Sequence, residues 1–174
     1  MLQKFDFFIL NSIYEFFKCD FLDKIMPLIT ALGNGGAIWI VIALIFLCFK
    51  KLRKTGFAIA IALILGVIIG NLFLKNIFCR IRPFDLAEGI NLLINAPKDF
   101  SFPSGHTLSS VSSATVIFLC NKKMGIYFLV LAILIAFSRL YLYVHFPSDV
   151  LAGAVLGVII ANFSVFLSKK IKKY

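Results

Sequence analysis

GIYFLVLAILIAFSRLYLYV, residues 125–144, decides the fold. A helix needs about 20 mostly apolar residues to cross a bilayer core, and this run supplies that length with Arg139 as its one charge. Working outward, comparable runs fill 149–168 downstream and 106–120, 56–79 and 27–49 upstream. The 106–120 run is rich in serine and threonine, as suits a helix buried against other helices. The 27–49 run carries a flexible patch, Gly33-Asn34-Gly35-Gly36, at its start; no Gly-Lys-Ser/Thr follows, so it is not a phosphate-binding P-loop. Gly66 and Gly70 have the spacing that lets helices approach closely.

Composition agrees. Of 174 residues, 61% are hydrophobic and mean hydropathy is +0.99, against roughly 45–50% apolar residues in a soluble domain. The expected fold is an all-α integral membrane bundle of five or six transmembrane helices, one domain over residues 1–174, with no room for a soluble second domain. Residues 2–18 are short and charged, but Phe5, Phe8, Ile9, Ser12, Ile13, Phe16 and Phe17 keep helical spacing. They predict an amphipathic helix within 1–20 lying in the membrane interface, with a short sixth span as the alternative. No small-residue cleavage site follows this stretch, so no signal peptide is expected. Cys19, Cys48, Cys79 and Cys120 form no metal-ligand spacing and read as small membrane-embedded residues. Cys19 and Cys79 lie where they can share a face.

The formal charge is +10. In a soluble protein that balance suggests nucleic acid; here it sits in short clusters between apolar runs and reads as a topology signal. Lys50, Lys51, Arg53 and Lys54, then Lys122 and Lys123, then Lys169, Lys170, Lys172 and Lys173 fall at alternate span ends, and all eight acids lie elsewhere. The positive face is expected to be cytoplasmic, with the lysine tail anchored on anionic lipid. The irregular loop 80–105 and the turn 145–148 then share the extracytoplasmic face.

That face gathers the unusual residues: Lys75 and Arg82-Pro83, then Pro103-Ser104-Gly105-His106, then Ser138-Arg139, His145 and Asp149. Charge at membrane depth is costly and marks function by default. Lys75, Arg82 and Arg139 converge as cations suited to phosphate oxygens. Ser104-Gly105-His106 opens a helix whose free N–H groups also favour an anion. Four residues separate His145 from Asp149, so the carboxylate can hold one ring nitrogen and leave the other free to attack. His106 is left as the acid for a leaving oxygen. A phosphohistidine route splits the reaction into two easier steps. The pocket has too few carboxylates for a magnesium site.

Lys75-x6-Arg82-Pro83, Pro103-Ser104-Gly105-His106 and Ser138-Arg139-x5-His145-x3-Asp149 resemble, in type, spacing and order, the three-part signature of the type 2 phosphatidic acid phosphatase family. The resemblance implies His145 as nucleophile, Asp149 as its partner and His106 as acid. It implies Lys75, Arg82, Ser104, Gly105 and Arg139 as phosphate binders, and no metal or other cofactor. It further implies a lipid phosphate or diphosphate substrate, such as undecaprenyl diphosphate, phosphatidylglycerol phosphate or phosphatidic acid. The expected setting is multi-pass in a bacterial plasma membrane, with no nucleic acid and no obligate protein partner.

Two other classes share part of this equipment. A lipid-phosphate transporter needs the cations but neither histidine, and a lipid phosphotransferase uses the same phosphohistidine with a second lipid as acceptor. A soluble haloperoxidase with this pocket type is excluded by apolarity and length. The remaining polar residues read as bland: Arg80 as an interface contact, Ser138 as a packing or pocket residue, Tyr141 and Tyr143 as an interfacial aromatic belt, and Asp85, Glu88 and Asp99 as solvated loop charges.

Overall fold

The computed structural model describes residues 2–170; the last lysines of the basic tail, Lys172 and Lys173, lie outside the described residues. Every regular element among them is helical. The elements are α1 (Leu2–Phe17), α2 (Asp20–Leu32), α3 (Ala37–Cys48), α4 (Arg53–Gly66), α5 (Lys75–Phe78), α6 (Pro83–Leu86), α7 (Gly105–Cys120), α8 (Lys122–Tyr141) and α9 (Pro147–Lys170). A π-helical stretch, Val67–Leu74, joins α4 to α5.

The stretch from Arg53 to Leu86, α8 and α9 are each long and apolar enough to cross a membrane. The expected 27–49 span differs from the observed one. Its helix starts earlier, at Asp20, and breaks before resuming as α3, the two parts bent by 44°. Gly35 and Gly36 sit at the break with φ of 58° and 73°, a left-handed conformation that glycine adopts without steric cost. The expected 106–120 helix is present and buried against other helices as its serines and threonines suggested, but it is short for a span. With 16 residues α7 is about 24 Å long, short of the roughly 30 Å hydrocarbon core. It packs against α4, α8 and α9 rather than facing lipid, and Ser110, Ser112 and Ser113 are buried along it. Trp39 Nε1 of α3 donates to Ser110 Oγ at 2.9 Å.

Glycines set how closely the helices approach α7. A Cβ on Gly70 would run into the Leu108 side chain, so the Gly66/Gly70 pair serves contact within the chain. A second seam was not anticipated, and it meets backbone rather than a side chain: on α9, a Cβ on Gly153 would lie 2.8 Å from the carbonyl oxygen of Ser104, and one on Gly157 would lie 3.1 Å from Ser112 N.

α1 buries Asp6 and Leu10 and exposes Phe5, Phe8 and Phe16. Phe7 meets Phe146 edge-on at 5.1 Å. Tyr141 and Tyr143 do not form an exposed belt. Both are buried, and their hydroxyls donate to Asp23 Oδ1 and Asn11 Oδ1, each at 2.5 Å, because α1 and α2 cover that end of α8. Ser138 is buried and donates to Ile135 O at 2.6 Å, a packing role. The four cysteines are free thiols.

Lys75, Gly105 and Arg139 line one cavity at one end of the bundle, where Pro147 opens α9. Arg53, Lys122, Lys123, Lys169 and Lys170 stand at the other, one helix length away.

Candidate active site

Local sequence places the reactive groups. Pro147 opens α9, where its fixed φ and missing N–H suit the first turn, and Asp149 follows within that turn. Tyr143, at φ 59°, reverses the chain between α8 and α9 and presents His145 between them. Ser104 caps α7 by accepting from Thr107 N at 3.4 Å, and Thr107 Oγ1 donates to the same oxygen at 3.0 Å. Ser104 N donates to Asp149 O at 3.1 Å, tying the starts of α7 and α9 together.

His145 is 1% exposed and Asp149 0%. Arg82 Nη1 donates to Val144 O at 2.6 Å and lies 3.2 Å from His145 Nε2. A guanidinium has no acceptor, so Nε2 carries the lone pair and Nδ1 the proton. His145 Nδ1 lies 3.4 Å from Ser101 Oγ, which donates to Asp149 Oδ2 at 2.5 Å. The direct His145 Nδ1 to Asp149 Oδ2 distance is 3.6 Å. Ser101 therefore relays the contact between imidazole and carboxylate. Phe146 N also donates to Asp149 Oδ2, at 2.9 Å. Burial first, then the charges of Arg82, Arg139 and Lys75, hold the His145 imidazole well below its usual range. That direction favours the neutral ring, with the unprotonated Nε2 toward Arg82.

The cations are not free. Lys75 Nζ donates to Asp99 Oδ2, and Arg82 Nη2 donates to Asp99 Oδ1 at 2.6 Å. Arg82 Nε also donates to Asp99 O at 2.8 Å. Asp99 is thus not a solvated loop charge: its two oxygens each engage one of the two cations. Burial alone would raise its carboxyl, but the bonds and charges of Lys75 and Arg82 outweigh that and bring it to about 2. The carboxylate therefore favours its ionised form, paired with both cations. Arg139 Nη1 donates to Thr30 Oγ1 at 2.6 Å, while Arg139 Nε is buried without a partner. Such an orphaned charged donor is costly unless an acceptor arrives. We expect Asp99→Asn to tighten orthovanadate binding roughly two- to fivefold, the scale of a part-exposed ion pair, in a titration of the purified protein. Weaker binding in that variant would mean that Asp99 orders the cations rather than filling their anion position.

His106 Nε2 lies 2.9 Å from Asn34 Oδ1 and donates to it, so the α2–α3 break positions this ring. Gly105 stands opposite Asn71, whose Oδ1 would lie 3.0 Å from an added Cβ. A cavity of about 1100 Å³ joins these groups; Lys75, Arg82, Gly105, His106, Arg139 and His145 form its polar end. Ser104 and Asp149 do not line it: one hydroxyl is committed to the helix cap and one carboxylate stands behind His145. The cavity continues along α3 and α4 past Leu44, Leu47, Leu63 and Ile64, and Leu44 and Ile64 are exposed to the outside of the bundle. Among the described residues no three of His, Cys, Asp and Glu gather as a metal site.

Several participants were invisible in the sequence pattern: Ser101, Asn34, Thr30, Asp99 and the pair Arg80–Asp6. Arg80 is not an interface contact. It donates to Asp149 Oδ1 and to Asp6 Oδ2, each at 2.6 Å. The one signal for Asp6 was an acid within an apolar helix.

Fold and site together define a helical membrane protein with a buried histidine poised beside a cationic, anion-seeking pocket. The model of the PAP2 superfamily matches residues 52–173, and the chain belongs to that family. It is 36% identical to an undecaprenyl-diphosphatase of Sulfolobus acidocaldarius, over 74% of this chain and 62% of that one. It is 41% identical to the bacitracin transport permease protein BcrC of Bacillus licheniformis, over 66% of this chain and 54% of that one. The chain thus spans somewhat over half the length of these two relatives. The crystal structure of a transmembrane PAP2 type phosphatidylglycerolphosphate phosphatase from Bacillus subtilis superimposes with a TM-score of 0.77 and 28% identity, over 99% of this chain and 89% of that one.

Proposed function

We propose that the chain hydrolyses a lipid phosphate or diphosphate through a phosphohistidine on His145, without a metal ion. The observation that carries this reading is the bare, neutral Nε2 of His145 facing the same cavity as three cations. The substrate's phosphoryl group displaces Asp99 and takes the Lys75, Arg82 and Arg139 donors, with the Gly105 backbone at its side. His145 Nε2 forms a bond to phosphorus as the bond to the leaving oxygen breaks, and His106, in the imidazolium form that the phosphoryl group's negative charge favours by offsetting Lys75, Arg82 and Arg139, gives that oxygen a proton. Asp149, through Ser101, steadies the charge that the His145 ring gains. His106 then takes a proton from water, whose oxygen attacks phosphorus and breaks the P–N bond. Phosphate leaves and His145 is regenerated. Each well-placed donor to developing charge contributes about 3–4 kcal/mol.

The apolar limb of the cavity along α3 and α4 suits a lipid tail entering from the side. The relatives' names point to undecaprenyl diphosphate and phosphatidylglycerol phosphate, with phosphatidic acid as the simplest analogue. We place the site at the extracytoplasmic face of a plasma membrane, the basic end at the cytoplasmic face on anionic lipid, and α1 in the outer interface. Purified protein should release inorganic phosphate from at least one of these three lipids, with the rate unchanged by excess EDTA. Loss of activity in EDTA that magnesium restores would contradict the metal-free mechanism. Phosphate passed to a second lipid instead of water would make the chain a transferase.

A further inference from the structure

We propose that Arg80 and Asp6 are positioning residues for the Asp149 carboxylate, so that the N-terminal helix α1 helps hold the nucleophile in register. The inference rests on the reading of His145 as nucleophile and Asp149 as its partner. Neither Arg80 nor Asp6 belongs to the three-part motif, and they lie 74 positions apart.

The geometry is specific. Arg80 Nη1 donates to Asp149 Oδ1 at 2.6 Å and to Ser148 Oγ at 2.7 Å. Its Nη2 donates to Asp6 Oδ2 at 2.6 Å. Asp6 in turn accepts from Ser148 N at 3.0 Å and from Ser148 Oγ at 2.6 Å. The guanidinium lies 4.2 Å from the centre of the Phe146 ring, whose edge partner is Phe7 of α1. Asp6 is 2% exposed. One guanidinium therefore bridges two buried carboxylates, one on α1 and one behind the nucleophile.

Two consequences follow for Asp149. Its Oδ2 is engaged by Ser101 and Phe146 N, and its Oδ1 by Arg80, so every torsion of the carboxylate is fixed with Oδ2 toward the relay to His145. Partners that orient a ligand or base from behind act in this way. The second consequence is electrostatic. Asp149 must favour positive charge on the His145 ring at attack, and a whole Arg80 charge beside it would oppose that. Asp6 offsets the guanidinium and leaves Asp149 its negative charge. A buried acid on an apolar helix is costly by itself; here the cost is met by a bond to the group that matters most for the site.

Asp6→Asn keeps the side-chain volume and, with its oxygen in the Oδ1 place, the acceptor for Ser148 N; it removes the charge and turns an NH₂ toward Arg80 Nη2, which loses its acceptor. Arg80→Gln removes the bridge. Both are measured with whichever of a polyprenyl diphosphate, phosphatidylglycerol phosphate and phosphatidic acid the wild type hydrolyses fastest. Each variant should lose kcat by at least about tenfold, as partners behind an active-site histidine do. KM and orthovanadate affinity should stay within about twofold, because Lys75, Arg82 and Arg139 are untouched. The double variant should be no slower than the slower single, because the two residues act as one unit. A kcat within twofold of wild type in Asp6→Asn, a KM that rises in step, or losses that multiply in the double variant would overturn the inference. If Asp6→Asn does not yield monodisperse protein, Arg80→Lys carries the test, since an ammonium keeps the charge but lacks the planar fork that holds both carboxylates in register; the same loss of kcat is expected, and a kcat within twofold of wild type would overturn the inference. Turnover by His145→Ala would sink the underlying reading. An inert His145→Ala beside a fully active Asp6→Asn would sink this inference alone.

Discussion

His145→Ala is expected to reduce phosphate release by about 10⁴-fold or more, the scale seen when the attacking group of a triad-like site is removed. No other neutral side chain in the cavity has a bare nitrogen beside Arg82 and a carboxylate behind it. The loss should come without unfolding. Arg82 keeps its bonds to Val144 O and Asp99, and Asp149 keeps Ser101, Phe146 N and Arg80. The substitution therefore leaves no charge unpaired and only a void where the ring was. Size-exclusion behaviour and orthovanadate binding should survive while turnover disappears. Near-normal turnover would show that the nucleophile lies elsewhere.

Asp149→Asn should lower kcat by about 10³–10⁴-fold, the consequence of losing the charge and the tautomer control behind an attacking histidine. It should also destabilise the protein, unlike His145→Ala. The carboxylate accepts on both oxygens: Arg80 on one, Ser101 and Phe146 N on the other. An amide has one oxygen, so its NH₂ must confront one of these donor sets in a fully buried place. An unsatisfied buried group costs about 1–3 kcal/mol, more beside a guanidinium. Thermal denaturation in detergent and steady-state kinetics check both effects. A variant as stable and as fast as wild type would remove Asp149 from the account. KM is expected to move little, because the phosphate donors lie on other elements.

Much of this was legible in the sequence, for physical reasons. Span lengths follow from bilayer thickness, and a buried Arg139 or His145 in an apolar chain is conspicuous because it is costly. Chain reversal at the lysine clusters brings residues 75, 106, 139 and 145 to one end without any knowledge of packing. What stayed hidden was pairing across the fold. Asp99 satisfies Lys75 and Arg82 from a loop whose path no periodicity predicts. Asp6 reaches Arg80 and Ser148 only because α1 lies on the start of α9. Ser101 looks like any loop serine until His145 and Asp149 are seen on either side of it. The Gly33–Gly36 patch announced flexibility, but its work, aiming Asn34 at His106, depends on where α7 begins. Gly153 and Gly157 had the same spacing as Gly66 and Gly70, and were masked by a run that already read as a span.

The central claim is a covalent bond between phosphorus and one ring nitrogen, and it can be looked for directly. A lipid phosphate is mixed with the protein, quenched in alkali within one turnover, digested and mapped by mass spectrometry. A phosphoryl group on His145, absent from His145→Ala, is the predicted result. A phosphoryl group on His106 or on a serine of the site would contradict it.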